Sequence, residues 1–369
     1  MKNKFLTQHV QKLHPYVAGL QPQEPGWIKL NTNENPYPPS PKIAEAIKNL
    51  DLIKLKLYPP GDGGILREAI AAAARQAIPT TYTSSDMHDT KSVANVISTK
   101  NIFCGNGSDE VLALAFQAFY SGKTPVHTPD ISYGFYPVWG GMYNVGLNFI
   151  PLKDDFSLDP GDYTNGQGVI IANPNAPTGM AVGLETIEKI LQQNPNGVVL
   201  VDEAYIDFAS VPSAVELIPR YENLLVVRTF SKSHALAGMR VGYAIGQPHL
   251  IEGLELVKES FNSYPLDIMA QTAAAAAIED TEYLKETCAK VIATRKRTTV
   301  ALEAMGYKVL PAEGNFIFIE VGDAKGLYER LLANKILARY WDKPRINTLL
   351  RVSIGTDEEM ERFISCVNS

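Results

Sequence analysis

Apolar positions in this chain gather into short blocks with helical stretches between them. The blocks are Ile102-Phe-Cys104, Val169-Ile-Ile-Ala172, Val198-Val-Leu-Val201, Leu224-Leu-Val-Val227 and Val241-Gly-Tyr-Ala-Ile245. Each is predicted to be a strand. Asp109 to Tyr120 and Leu184 to Gln193 are helical segments among them. Strands alternating with helices predict an α/β fold whose sheet is largely parallel and covered on both faces. In such sheets ligands bind beyond the carboxyl ends of the strands.

The flanks read differently. The first forty residues are rich in proline and polar side chains and end in Asn31-Thr-Asn-Glu-Asn-Pro-Tyr-Pro-Pro-Ser40. They predict an extended arm rather than a packed unit. Pro41 to Leu50 and the Ala/Leu-rich Ile65 to Ala77 are predicted helices. Pro79 to Lys100 is rich in Ser, Thr and Asp and reads as a surface loop or insertion. Long helices are expected from about Leu250 to Glu303. Strands follow at Asn315 to Val321 and Leu349 to Ile354, with helices at Gly326 to Asn334 and Glu358 to Val367. This is a smaller α+β unit. The expected division is 1–40 as an arm belonging to the small domain, 41–255 as the large domain and 256–369 as the small domain.

Length and composition narrow the class. A chain of 369 residues is longer than one hydrophobic core usually serves. With 45% hydrophobic and 20% charged residues it is an ordinary globular composition. The net charge of −6 argues against a nucleic-acid partner. No apolar run reaches membrane-spanning length, and the first ten residues lack a signal-peptide core. Cys104, Cys288 and Cys366 are far apart, which suits free thiols in a reducing compartment. These features predict a cytoplasmic protein with no membrane partner. The six histidines show no paired spacing, so no metal site is expected.

Candidate chemistry falls at the strand ends. Lys232 follows the block at Leu224 to Val227, and Arg240 comes eight residues later. Two cations there suit a lysine that forms a Schiff base with pyridoxal phosphate and an arginine that helps hold the phosphate. A surface pair at a helix start would give the same residues. Gly105-Asn-Gly-Ser-Asp-Glu110 is a glycine turn opening a helix, whose backbone N–H groups suit a phosphate, although Ser108 or Asp109 would equally serve as a cap. Asn173-Pro-Asn-Ala-Pro-Thr-Gly179 is a rigid turn. Asp202 closes a buried strand, where a carboxylate needs a partner. A protonated pyridine nitrogen is one, and Tyr205 is placed to reach the ring hydroxyl. Gly122-Lys-Thr124 raises a P-loop ATPase, but that motif needs glycine where Gln117 stands and a strand where Val111 to Tyr120 reads as helix.

In order and spacing these segments resemble the aspartate-aminotransferase superfamily, the fold type I pyridoxal-phosphate enzymes. The resemblance runs from about His14 to Phe363. Its markers are Asn33-Glu-Asn-Pro36, Tyr58-Pro59, Gly107-Ser-Asp-Glu110, Pro174-Asn-Ala-Pro-Thr-Gly179, Asp202-Glu-Ala-Tyr205, Ser231-Lys232 with Arg240, Asn315-Phe316 and Leu350-Arg-Val-Ser-Ile-Gly-Thr356. It implies a large domain with a mostly parallel seven-stranded sheet between helices, a smaller α+β domain, and pyridoxal 5'-phosphate as cofactor.

It also implies roles. Lys232 carries the cofactor and shuttles the proton, Asp202 pairs with the pyridine nitrogen, and Tyr205 bonds the ring oxygen. Tyr133 stacks on the ring. Ser108, Asp109, Ser231 and Arg240 hold the phosphate, joined by Tyr58 from the partner subunit of a homodimer with shared active sites. Where the superfamily places an asparagine before Pro-Thr-Gly, this chain has Ala176, so either Asn175 substitutes or Tyr205 carries the ring-oxygen bond alone. Tyr16, Arg339 and Arg351 match the substrate-phosphate group of the histidinol-phosphate branch. The implied activity is transamination of L-histidinol phosphate with 2-oxoglutarate, giving L-glutamate, in histidine biosynthesis. An aromatic amino acid aminotransferase and a decarboxylase of phosphorylated amino acids stay open. A pyridoxal-phosphate-sensing regulator would need a DNA-binding domain ahead of the fold.

Overall fold

The computed structural model describes residues 4–78, 97–122, 125–164 and 168–368. Its strands are β1 (Ile28–Lys29), β2 (Ile102–Gly105), β3 (Val126–Pro129), β4 (Leu147–Ile150), β5 (Gly168–Ala172), β6 (Val198–Asp202), β7 (Leu224–Thr229), β8 (Gly242–Gly246), β9 (Lys308–Val309), β10 (Phe316–Glu320), β11 (Ile336–Leu337), β12 (Arg339–Tyr340) and β13 (Leu349–Ser353). Its helices are α1 (Lys42–Lys48), α2 (Gly64–Ala77), α3 (Ser108–Ala115), α4 (Tyr136–Tyr143), α5 (Leu184–Gln193), α6 (Pro248–Glu259), α7 (Ile268–Glu279), α8 (Thr281–Ala304), α9 (Ala324–Ala333) and α10 (Asp357–Asn368).

Seven strands form the main sheet in the order β2-β8-β7-β6-β5-β3-β4. Only β8 runs antiparallel to its neighbours. The sheet is α/β and mostly parallel, as the alternation of apolar blocks predicts. Val199, Leu200, Val201, Leu224, Leu225, Val226 and Val227 are all fully buried, because helices cover both faces. The two strands missing from the pattern, β3 and β4 at one edge of the sheet, carry His127, Thr128, Asn148 and Pro129, which break any apolar run.

The second sheet is antiparallel, in the order β12-β13-β10-β9. It packs with α8, α9 and α10 in a separate core that includes Val291, Leu331, Phe316, Val352 and Phe363.

Two expectations need correction. The arm does not stay extended and unpacked: β1 pairs in parallel with β11, and Ile28 and Leu30 are buried in the second core. The step between cores is also later than residue 256. The alanines of α7 pack against α1 and α2 in the large core, because small side chains let helices approach closely, and the change falls at Asp280–Thr281. Most of the polar run from Pro79 to Lys100, and Lys123 with Thr124 of the Gly-Lys-Thr motif, lie outside the described residues. The segment before that motif is helical, α3 continuing into a π-helical turn at Phe116–Tyr120. No helix among the described residues is long and apolar enough to cross a membrane.

Candidate active site

The carboxyl ends of β2, β3, β5, β6 and β7 open on one cleft. Strand β2 leads through Gly107 into Ser108 and α3, β3 leads to Tyr133, β6 ends on Asp202, and β7 leads to Ser231 and Lys232. Strand β8, being antiparallel, begins at this same edge, so Arg240 just ahead of it also arrives there. The cleft holds about 210 Å³ and is lined by Ser108, Asp109, Tyr133, Asp202, Tyr205, Ser231, Lys232 and Arg240 on the large-domain side. Tyr16, Arg339 and Arg351 line it from the arm and the second sheet.

An anion cradle sits at one end. The first backbone N–H groups of α3 have no partner within the helix and lie at its positive end. Glycine is required twice. Gly107 has φ +83, and a Cβ there would stand 2.5 Å from the Arg240 guanidinium. A Cβ on Gly242 would stand 2.2 Å from the Ser108 backbone nitrogen. Strand β8 therefore lets the turn lie directly on it. Arg240 reaches Ser231 Oγ at 3.4 Å and Asp109 at 3.5 Å, loose contacts for a half-exposed guanidinium.

At the floor, Asp202 is buried among strands. Burial pushes its carboxyl up to about 6, the nearby Asp109 adds to this, and the Tyr136 hydroxyl, the Ala204 N–H and Lys232 oppose it. Tyr136 donates to Oδ2 at 2.9 Å. Among the described residues no lysine or arginine lies within ion-pair distance of Asp202. Tyr136 was missing from the candidates, although its spacing of three from Tyr133 puts both rings on one turn of chain. Tyr133 donates to Asp109 at 2.9 Å, which holds its ring over the cleft.

Lys232 Nζ donates to the Thr32 carbonyl at 2.9 Å and lies 5.8 Å from the Tyr205 ring centre. The loop carrying it is clamped from below. Ser233 Oγ and the Arg228 guanidinium both bond the half-buried carboxylate of Asp207, and the Ser233 carbonyl accepts from Asn35.

The segment 31–35 joins the two cores. The Asn31 carbonyl accepts from Arg351 at 2.7 Å, and Asn33 bonds both Tyr205 and Ser353. Arg339 donates to the Val17 carbonyl at 2.7 Å, and Tyr16 stacks on Phe135 at 4.4 Å. Burial lowers the Arg351 guanidinium, and Arg339 beside it acts in the same sense. Its Nε is buried without a hydrogen-bond partner.

Two expected site residues do not line this chain's own cleft, one of them, Tyr58, being expected in the partner's site. Asn175 does not line the cleft. Its amide donates to the Ile131 carbonyl and Thr178 Oγ1 and accepts from Ser132, so it is fully engaged in the wall behind. It does not stand in for an asparagine at Ala176, whose side chain borders the cleft. Tyr58 is 82% exposed and stacks on Tyr264 at 4.6 Å, away from the cleft of its own chain.

The donor set fits pyridoxal 5'-phosphate. A buried carboxylate without a cation suits a protonated ring nitrogen, a glycine cradle with arginine and serine suits the phosphate, and a lysine lies between them.

The family profile described as aminotransferase class I and II matches residues 25–367. The histidinol-phosphate aminotransferase of Marinomonas sp. (strain MWYL1) is 48% identical over 373 residues, covering 100% of this chain and 99% of that relative. The histidinol-phosphate aminotransferase of Clostridium acetobutylicum is 48% identical over 366 residues, covering 98% and 97%. Among solved structures, the histidinol-phosphate aminotransferase of Sinorhizobium meliloti in complex with pyridoxal-5'-phosphate superposes with a TM-score of 0.82 at 24% identity, covering 98% of this chain and 96% of that one.

Proposed function

Because the chain belongs to the class I and II aminotransferase family, we propose that it transfers the amino group of L-histidinol phosphate to 2-oxoglutarate, yielding imidazole-acetol phosphate and L-glutamate in histidine biosynthesis. The observation that carries the substrate is the pair Arg339 and Arg351, set opposite each other at the cleft mouth. Two guanidiniums suit a phosphate dianion.

Pyridoxal 5'-phosphate, when bound, supplies a carbonyl that condenses with amines and a conjugated ring that draws electrons from the substrate's Cα. The protein does the rest. Lys232 Nζ would hold the cofactor at rest and, once free, would take up and return the proton at the substrate's Cα. Asp202, ionised, faces the ring nitrogen and keeps it protonated, and Tyr136 keeps the Asp202 carboxylate oriented. Ser108, the backbone of Asp109, Ser231 and Arg240 bind the cofactor phosphate. Tyr133 covers one face of the ring, and Tyr205 donates to its oxygen. Arg339, Arg351 and Tyr16 bind the substrate phosphate, and Arg351 takes the carboxylate of 2-oxoglutarate in the return half-reaction.

The working unit is a homodimer with shared sites. Leu52, Ile53, Leu55, Leu57, Tyr58 and Phe261 are each more than half exposed on one chain, large apolar side chains that a partner subunit would cover. Tyr58 then reaches the partner's cofactor phosphate.

The test is a visible absorption titration of cofactor-loaded protein with L-histidinol phosphate and, separately, L-phenylalanine. Loss of the bound-cofactor band at far lower histidinol phosphate supports the assignment. The reverse order makes the protein an aromatic amino acid aminotransferase, and release of carbon dioxide makes it a decarboxylase.

A further inference from the structure

Asn33 lies in a marker segment that the site roles leave unused, yet its surroundings are specific. It is 1% exposed and held at φ +57, a left-handed conformation that asparagine tolerates better than most residues. Its own N–H donates to Ser353 Oγ at 2.9 Å. That hydroxyl therefore sends its proton to Asn33 Oδ1, 2.7 Å away. The amide is thereby oriented, with Oδ1 toward Ser353 and Nδ2 toward the large domain. Nδ2 donates to Tyr205 Oη at 3.0 Å. A phenol that accepts there must direct its single proton elsewhere, and the open side of Tyr205 is the cleft. The neighbouring wall at Ala176 offers no donor.

We propose that Asn33 is a positioning residue: through the Ser353–Asn33–Tyr205 chain it aims the Tyr205 proton into the cleft, at the cofactor's ring oxygen. This rests on the proposed placing of that oxygen against Tyr205. A donor aimed at an anionic ring oxygen lowers its basicity, so losing the donor raises the pH at which the bound cofactor changes colour. The chain also links the loop after β6 of the main sheet to the end of β13 in the second sheet, so the proton is aimed only when the arm is seated between them.

The experiment is a visible-absorption pH titration of cofactor-loaded protein without substrate, on the wild type, Asn33→Gly, Tyr205→Phe and the double variant. Glycine keeps the backbone conformation at residue 33. Asn33→Gly is expected to raise the midpoint by about one pH unit, the scale of one hydrogen bond to a charged group. Tyr205→Phe is expected to raise it at least as far, and Asn33→Gly to add nothing on the Tyr205→Phe background. An unchanged midpoint in Asn33→Gly beside a raised one in Tyr205→Phe overturns the inference, as does a shift that persists undiminished in the double variant. If Tyr205→Phe itself moves nothing, the placing of the ring oxygen fails and the inference with it. Should Asn33→Gly not fold, Asn33→Asp keeps the Ser353 bond and loses the donor. Its hydrogen-bond effect vanishes on the Tyr205→Phe background, whereas a mere charge effect remains.

Discussion

Arg339 on β12 and Arg351 on β13 stand directly opposite each other across an antiparallel ladder. Like charges in that relation repel, and among the described residues each guanidinium has only one backbone carbonyl as a close hydrogen-bond acceptor, Val17 for Arg339 and Asn31 for Arg351. Both also lie over the Trp341 ring, 5.4 and 5.3 Å from its centre. A dianion between them removes the repulsion. In Arg339→Gln, kcat/KM for L-histidinol phosphate is expected to fall about 10- to 100-fold, the scale of one charge-assisted hydrogen bond. L-phenylalanine, lacking the phosphate, should change by no more than about threefold. Equal losses for both substrates in steady-state kinetics would remove the phosphate role.

Lys232→Ala should abolish turnover while pyridoxal 5'-phosphate still binds through the cradle and Asp202. After borohydride reduction, intact-protein mass spectrometry is expected to find the cofactor's added mass on the wild type and none on the variant. Retained activity would sink the assignment of Lys232.

Asp202 carries a pH signature. Its carboxyl is raised by burial from 3.8 to about 6. A raised acid binds its proton more tightly folded than unfolded, so the cofactor-free protein loses stability on this account as pH rises from about 4 to about 6. The loss is on the order of 3 kcal/mol and is fully present above that range. A cationic ring nitrogen offsets it. The rise in melting temperature on adding cofactor should therefore grow with pH across this window in the wild type. The cofactor phosphate titrates nearby, so the comparison is with Asp202→Asn, in which the Asp202 share of that growth should disappear. Identical pH profiles would take Asp202 out of the ring-nitrogen contact.

Tyr136→Phe removes the 2.9 Å bond to Asp202. One hydrogen bond to a buried carboxylate is worth about 1.5–3 kcal/mol, so cofactor affinity is expected to drop about 10-fold or more, read by fluorescence titration. The variant's KM for 2-oxoglutarate should stay near that of wild type, since Tyr136 acts on Asp202 and does not line the cleft with Arg339 and Arg351.

Gly242→Ala would drive a methyl to 2.2 Å from the Ser108 nitrogen. Backbone meets backbone there, so relief requires the phosphate turn to move off β8. A stability loss of about 1–3 kcal/mol and weak retention of the cofactor are expected by thermal denaturation and gel filtration of loaded protein. Unimpaired retention would show the turn can shift without cost.

The chain's local pattern was sufficient for the framework. Buried strands such as Val198–Asp202 and Leu224–Thr229 are legible because a strand covered on both faces must be apolar throughout. Asp202, which ends such a strand, stands out because burying a carboxylate needs a chemical reason, and Lys232 stands out by its place just past the end of β7. β3 and β4 were not legible, since their polar and proline positions leave no run to read. The place of α7 was not legible either, because an alanine helix has no distinctive face. What only the tertiary structure decided is partnership. Tyr136 with Asp202, Asn33 with Tyr205 and Ser353, Arg339 opposite Arg351, and Gly242 under Ser108 join residues whose separation along the chain carries no signal. Asn175, adjacent to Ala176, turned away from the cleft because Ile131, Thr178 and Ser132 already satisfied its amide. Hydrophobic burial is periodic and summed over many residues, so it is written locally. A hydrogen bond depends on the position of two atoms to within a few tenths of an ångström, and those positions exist only once both cores have packed.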